Sequence, residues 1–298
     1  MSKLVLIDGH AVLFRAFHAY PQLTTSRGEL VNAVYGFASI LLNVIGELKP
    51  EYIVVTFDRD KPTFRHTEYV TYKAQREPMP TELKDQQERV EEVVKVLNIP
   101  IFAVEGYEAD DVIGTLARQA NELDQVVIVT GDKDALQLVD HERVVVHMPG
   151  RGRIPAKVYD EKLVEKEYGL TPEQIPDYKG LSGDASDNIA GVKGIGPKTA
   201  IQLLQAFGTV EGIYKHLGEV SNPRVMKLLA EGQESAVISK KMATIVVDVP
   251  IELDLPKCAV ADYDKEKVVE LFEELEFRSL IKKLPNDSFE QMVQEALF

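Results

Sequence analysis

Nine carboxylates of this sequence fall in five short clusters: Asp8, Asp58, the trio Glu108, Asp110 and Asp111, the pair Asp132 and Asp134, and the pair Asp184 and Asp187. Three clusters follow apolar runs of strand length. Leu4-Val5-Leu6-Ile7 leads into Asp8, Ile53-Val54-Val55-Thr56-Phe57 into Asp58, and Val126-Val127-Ile128-Val129-Thr130-Gly131 into Asp132. Ligands of open α/β sheets bind beyond the carboxyl ends of the strands, so these acids are predicted to converge there. Two unit charges about 6 Å apart at an effective dielectric near 20 repel by roughly 3 kcal/mol. Several such pairs call for bound cations or raised pKa values. Oxygen-only donors of high negative charge suit hard divalent ions, Mg²⁺ or Mn²⁺. Acids in the first turn of a helix, such as Glu108-Ala-Asp-Asp111, also complement the helix macrodipole. That accounts for one or two of them, whereas metal binding accounts better for the set.

Three further stretches carry chemistry. Asp132-Lys133-Asp134 sets two acids in a turn just past a strand, with Asp134 also placed to cap the helix that follows. Gly183-Asp-Ala-Ser-Asp-Asn188 sets acids three apart, on one face of a helical turn. Gly191-Val-Lys-Gly-Ile-Gly-Pro-Lys-Thr-Ala200 predicts a tight hairpin, from which Pro197 starts a helix. The amides of Gly194, Ile195 and Gly196 and the helix start at Thr199 suit phosphate oxygens, and Lys193 and Lys198 add charge. Such contacts position a nucleic acid without reading its sequence. Between Phe64 and Pro80, basic and aromatic residues mix: Arg65, His66, Tyr69, Tyr72, Lys73 and Arg76. Rings that stack on bases and cations that meet phosphates fit single-stranded nucleic acid; a solvated loop fits that composition equally well.

The elements that must hold these residues read as two kinds. Strands at 3–7, 52–57, 99–104, 126–130 and 143–147 alternate with helices near 30–47, 81–97, 108–123 and 133–138. This predicts a mostly parallel sheet covered on both faces. Gly150-Arg151-Gly152-Arg153 reads as a loop. After a boundary near residue 168 the chain turns helical, beginning at Thr171-Pro172. Amphipathic helices close it at 264–283. The expected division is a catalytic core over 1–168, a helical subdomain over 169–262, and C-terminal helices over 263–298 that pack on the core or lead to a linker. The 298 residues are 45% hydrophobic and 28% charged, as in soluble globular proteins. The apolar runs are too short to span a membrane. Asp8 interrupts any secretory signal core, and a lone Cys258 excludes internal disulfides, so the expected compartment is reducing cytosol. A net charge of −14 weighs against nucleic acid as a partner. The clustered acids are nine of the 48, however, divalent metals would offset part of their charge, and the basic residues concentrate between Arg59 and Arg76.

Together these motifs resemble the 5′-nuclease (flap endonuclease) family, and within it the 5′→3′ exonuclease domains of bacterial DNA polymerases I. The resemblance runs from Leu4-Val-Leu-Ile-Asp-Gly9 to Leu275-Glu-Phe-Arg-Ser-Leu280. It includes Phe57-Asp-Arg59, Thr63-Phe-Arg-His66, Gly106-Tyr-Glu-Ala-Asp-Asp111, Thr130-Gly-Asp-Lys-Asp134 and all nine acids. It implies a PIN-like α/β core with a helical subdomain of helix-hairpin-helix type, and two Mg²⁺ positions at which Mn²⁺ can substitute. Asp8, Asp58, Glu108 and Asp110 would hold the first ion, and Asp132, Asp134, Asp184 and Asp187 the second, with Asp111 between them or outside. Asp8, Asp58, Asp110, Asp134 and Asp187 would be essential to hydrolysis, together with Lys73 and Arg76 at the scissile phosphate. Arg65 would contact DNA and Tyr72 would stack near a flipped terminal base. Residues 61–80 would form an arch for the 5′ strand, mobile without DNA because its side chains lack protein partners. The hairpin of Lys193, Gly194, Ile195, Gly196, Lys198 and Thr199 would grip duplex backbone and offer a place for K⁺. The implied partners are DNA with 5′ flaps, nicks or 5′ ends, RNA-primed ends included, and a polymerase domain in cis or in trans. The last residue, Phe298, falls where a polymerase of this kind would run on into further domains; an excised domain and a stand-alone nuclease both fit.

Three rival readings are weaker. A phosphatase using Asp8 as nucleophile commonly carries a second Asp two residues on, where His10 stands. A related metal-dependent ribonuclease would not need the hairpin or the arch. A non-catalytic module that binds DNA structures would be expected to have lost metal acids, and none is missing.

Overall fold

The computed structural model describes residues 2–59, 61–150, 154–260 and 263–286. In chain order the elements are β1 (Lys3–Asp8), α1 (Gly9–Ala19), α2 (Asn32–Leu48), β2 (Tyr52–Thr56), α3 (Phe64–Glu68), α4 (Thr81–Val96), β3 (Ile101–Phe102), α5 (Ala109–Gln119), β4 (Gln125–Val129), β5 (Val144–Met148) and β6 (Lys157–Tyr159). There follow α6 (Glu161–Tyr168), α7 (Ile175–Ser182), α8 (Pro197–Phe207), α9 (Val210–Lys215), α10 (Pro223–Glu231), α11 (Gln233–Ala243), α12 (Lys265–Glu274) and α13 (Arg278–Ile281). The sheet order is β3-β2-β1-β4-β5-β6, parallel except for β6. Chain order therefore reverses between β1 and β4, and the crevice beyond the carboxyl ends of those strands is where an open α/β sheet takes its ligand.

Strands buried on both faces read as continuous apolar runs. In β1 the side chains alternate between two cores. Val5 and Ile7 pack with Leu13 of α1, Phe37 of α2, Val90 of α4 and Phe272 of α12. Leu4 and Leu6 pack with Val112 and Leu116 of α5 on the other face. Residues 170–236 have a core of their own, built on Leu181, Ile195, Leu203, Leu204 and Leu229. Among the described residues, no helix is long and apolar enough to cross a membrane.

The parallel sheet expected from the apolar runs is present, with differences at its margins. β3 is two residues long rather than six; Pro100 lacks an N–H, and Asn98 adopts φ +52°, so the strand starts late. α1 was not foreseen: Asp8 ends its strand and accepts from Ala11 N at 3.0 Å, capping the next helix. The helix expected at 133–138 is a 3₁₀ turn over Asp134–Leu138, and β6 is a three-residue edge strand too short for a periodic signal. Of the loop read at 150–153, residues 151–153 lie outside the described residues, as do 287–298 of the C-terminal segment.

Candidate active site

The acids gather at the sheet crossing. Asp8, at the end of β1, accepts from Thr130 Oγ1 beyond β4 at 2.7 Å. Asp58, just past β2, accepts from Ala109 N at the start of α5 at 2.7 Å, and its own N–H donates to His10 Nδ1 at 3.1 Å. Glu108 is the N-cap of α5, with Asp110 and Asp111 in the first turn. Asp132 accepts from Asp134 N at 2.9 Å. Asp184 and Asp187 arrive from the helical part, on a loop rather than a helical turn. Paired backbone bonds between Asp184 and Ile189, both 2.8 Å, close it. Gly183 (φ +74°) and Gly191 (φ +62°) meet at its neck. A Cβ on Gly191 would stand 2.2 Å from Gly183 N, so the closure demands glycine.

Their mutual field is legible in their protonation. Burial, then Asp58 nearby, raises the Asp8 carboxyl. Asp110 is raised well above the usual carboxylate value by burial and then by Asp8, Asp132 and Asp134. Asp134 is pushed up to about 6 by burial and the Asp132 charge. That Asp110 feels acids from β1 and from beyond β4 places these groups in one cluster.

Cations of the chain already lie against this cluster. Lys73 Nζ is 2.8 Å from Glu108 Oε1 and 3.9 Å from Asp187 Oδ2, while Arg76 Nη2 is 2.7 Å from Asp187 Oδ1. Burial opposes the charge on Lys73, but Glu108 and Asp187 outweigh it and raise its pKa. Lys179 of α7 bridges Asp134 and Asp184, the latter at 2.5 Å. Nothing in the sequence around Lys179 or His10 marked them as site residues. Their only signal is proximity in the chain, five residues before Asp184 and two after Asp8.

Several expected roles change. The 61–80 segment is not bare of partners. It folds through α3 and a series of turns onto the acids, with Lys73 N donating to Asp187 O at 3.0 Å from a left-handed φ of +53°. Tyr72 is 3% exposed and packs with Ile189, Met242 and Ala243. Its hydroxyl donates to Glu108 Oε2 at 3.0 Å and to Asp187 Oδ2 at 3.2 Å, so its ring presents no face to a base. Arg65 is 2% exposed and cannot meet DNA as placed. Its fork binds Asp111, which is fully buried. In the hairpin, Lys193, Gly194, Gly196 and Lys198 are exposed and Thr199 half-buried. Ile195 is a core residue whose N–H bonds Val192 O at 2.9 Å, so it anchors the hairpin from within.

Oxygen donors alone, in excess over the resident cations, fit hard divalent ions. Eight carboxylates (the nine less Asp111) face three cations, Lys73, Arg76 and Lys179. Two divalent ions would come close to balancing the remainder. As arranged, no three His, Cys, Asp or Glu side chains among the described residues could hold one ion. Lys73 lies between Glu108 and Asp187, and Lys179 between Asp134 and Asp184.

Residues 3–169 match the family described as 5′-3′ exonuclease, N-terminal resolvase-like domain, and residues 170–266 the 5′-3′ exonuclease, C-terminal SAM fold. DNA polymerase I of Chloroflexus aurantiacus is 49% identical over 291 residues, covering 95% of this chain and 31% of that protein. DNA polymerase I of Bacillus subtilis is 41% identical over 297 residues, covering 99% and 34%. The chain thus spans about a third of the length of these relatives. Bacteriophage T5 D15 flap endonuclease, solved with DNA and metal ions, superposes at a TM-score of 0.69 with 20% identity over 91% of this chain and 99% of that one. The catalytic core of Rad2 with DNA substrate superposes at 0.59 with 16% identity over 95% and 91%. The matches over 3–169 and 170–266 establish that this chain belongs to the 5′-3′ exonuclease family.

Proposed function

We propose that this chain is a Mg²⁺-dependent, structure-specific 5′ nuclease. It hydrolyses phosphodiesters in 5′ flaps and at 5′ ends of duplex DNA, RNA-primed ends included. The observation that carries this reading is the convergence of acids from five separate chain segments on one crossing, with Asp110 raised by its neighbours. Asp8, Asp58, Glu108 and Asp110 are proposed to hold one ion, and Asp132, Asp134, Asp184 and Asp187 the other; Mn²⁺ would serve in place of Mg²⁺. When bound, such ions polarise water and phosphate and offset charge on the leaving oxygen.

The chain's own groups do the rest. Thr130 and the Ala109 amide orient Asp8 and Asp58. Lys73 and Arg76, held against Glu108 and Asp187, transfer their charge to the scissile phosphate when DNA enters, where they stabilise its developing charge. The exposed hairpin carrying Lys193, Gly194, Gly196 and Lys198, with Thr199 at the helix start, grips duplex phosphates and is a place for K⁺. The chain's likeness in fold to a T5 flap endonuclease solved with DNA and metal ions supports a flap substrate. The polymerase I relatives support a polymerase domain in cis.

A labelled 5′-flap duplex, incubated with and without Mg²⁺, tests the proposal. Wild-type protein should cut only with the ion, and Asp187→Ala should bind the flap yet fail to cut. Ion-independent cutting, or full turnover by Asp187→Ala, would refute the two-ion assignment.

A further inference from the structure

Arg65 and Asp111 close on one another completely. A guanidinium has five N–H donors, and all five of Arg65 are taken. Nε donates to Met242 O at 3.0 Å. Nη1 donates to Asp111 Oδ2 at 2.7 Å and Glu108 Oε2 at 3.2 Å, and Nη2 to Asp111 Oδ1 at 2.8 Å and Thr244 O at 2.7 Å. An ionised carboxylate offers about four acceptor sites. Oδ1 of Asp111 accepts from Arg65 Nη2 and from Val246 N at 2.8 Å; Oδ2 accepts from Arg65 Nη1 and from Glu108 N at 3.1 Å. No lone pair of Asp111 is left for a metal ion, and no donor of Arg65 for a phosphate.

The pair joins three pieces of chain. Arg65 belongs to α3, Asp111 to the first turn of α5 and Glu108 to its N-cap, and Met242 to Val246 lead out of α11. From Arg65 the backbone runs through hydrogen-bonded turns to the phosphate-facing cations. Tyr69 N donates to Arg65 O at 2.9 Å, Tyr72 N to Tyr69 O at 2.8 Å, and Arg76 N to Lys73 O at 3.0 Å.

We propose that Arg65 and Asp111 are a positioning pair: neither touches metal or DNA, and together they aim the Glu108 carboxylate and fix the height at which Lys73 and Arg76 stand over the acids. This deepens the nuclease reading and rests on it. The consequence for the reaction is a defined cut position, because the same buried fork sets both the acids and the cations that meet the scissile phosphate.

The test uses the full chain, with folding checked by circular dichroism, in three forms: Asp111→Asn, Arg65→Lys, and the apolar double variant Arg65→Met with Asp111→Leu. The double variant removes both buried charges, so it keeps the test alive if a single change leaves an unpaired charge that unfolds the protein. Mn²⁺ binding is counted by calorimetry, and cleavage of a labelled flap is read for kcat, KM and the bond cut. All folded variants should bind as many Mn²⁺ ions as the wild type. In Asp111→Asn and the double variant, kcat should fall at least about 100-fold, with KM changed less than about threefold. Cuts should spread to neighbouring bonds. Arg65→Lys keeps the charge without the fork and should scatter the cuts as well. Loss of one Mn²⁺ in Asp111→Asn would make Asp111 a ligand. Wild-type kcat and a single cut site in the folded double variant would reduce the pair to a purely structural role. A wild-type protein that cuts no flap would instead overturn the nuclease reading itself.

Discussion

Asp134→Asn should stabilise the metal-free protein at neutral pH while abolishing its proposed activity. The Asp134 carboxyl sits at about 6 against an ordinary 3.8, raised by burial and Asp132 and held back in part by Lys179. A carboxyl with a higher pKa folded than unfolded binds more protons in the native state between those two values. The stability it contributes is complete below about pH 4 and is lost as the pH rises through about 6. At roughly 1.4 kcal/mol per unit, the rise of about two units corresponds to about 3 kcal/mol withheld from the fold at neutral pH. Asn has nearly the same volume and no charge, so it recovers up to that amount. The contact with Lys179 is lost, but Lys179 keeps Asp184. Urea unfolding in EDTA at about pH 7.5 and pH 4.5 measures the difference. The variant should be the more stable at the higher pH and close to the wild type at the lower. Added Mg²⁺ should then favour the wild type, since only it keeps the full donor set. A variant less stable at pH 7.5 in EDTA, or an equal gain at both pH values, would refute the account of Asp134 as a charge held at a loss.

Two further outcomes follow from the helical part. Gly191→Ala forces a Cβ against Gly183 N at a left-handed φ, so it should lower stability by about 2 kcal/mol or more. The loss should appear as an earlier urea midpoint, and an unmoved midpoint would mean the neck of the Asp184 loop can open. Lys193→Ala with Lys198→Ala should weaken duplex binding and flatten the log–log salt dependence by about 0.9 per phosphate contact removed. Anisotropy across a KCl series reads this, and an unchanged slope would remove the hairpin from the DNA interface.

How much of the site could be read in the chain depended on how far apart its partners lie. Asp8, Asp58 and Asp132 announce themselves because an apolar run buried on both faces must end before a charge can appear. Asp8 concealed α1 for a related reason: one residue serves as strand end, helix cap and site acid, and the helix follows it with no intervening turn. Asp111 looked like its neighbours because its distinguishing partner, Arg65, stands 46 positions earlier. Arg65 and Tyr72 sit in a stretch whose composition suits a wet surface. Their burial comes from Glu108, Asp187 and Met242, none of which is local. Lys179 carries no signal beyond its nearness to Asp184, since a single lysine on a helix ordinarily points to water. The short edge strand β6 offers too few residues for any period to show.

The loop closed by Gly183 and Gly191 lies in the segment matched as the C-terminal SAM fold, while the other site acids lie in the N-terminal segment. The family's two named domains therefore do not divide the acid cluster. Asp184 and Asp187 come from one, the remaining carboxylates from the other, and Tyr72, Arg76 and Lys179 stitch across the boundary between them. A chimaera that joined the first half of one relative to the second half of another would have to match along this seam. What must be inherited together is the seam: the 183–191 loop, the 242–246 strip and the turn from Arg65 to Arg76.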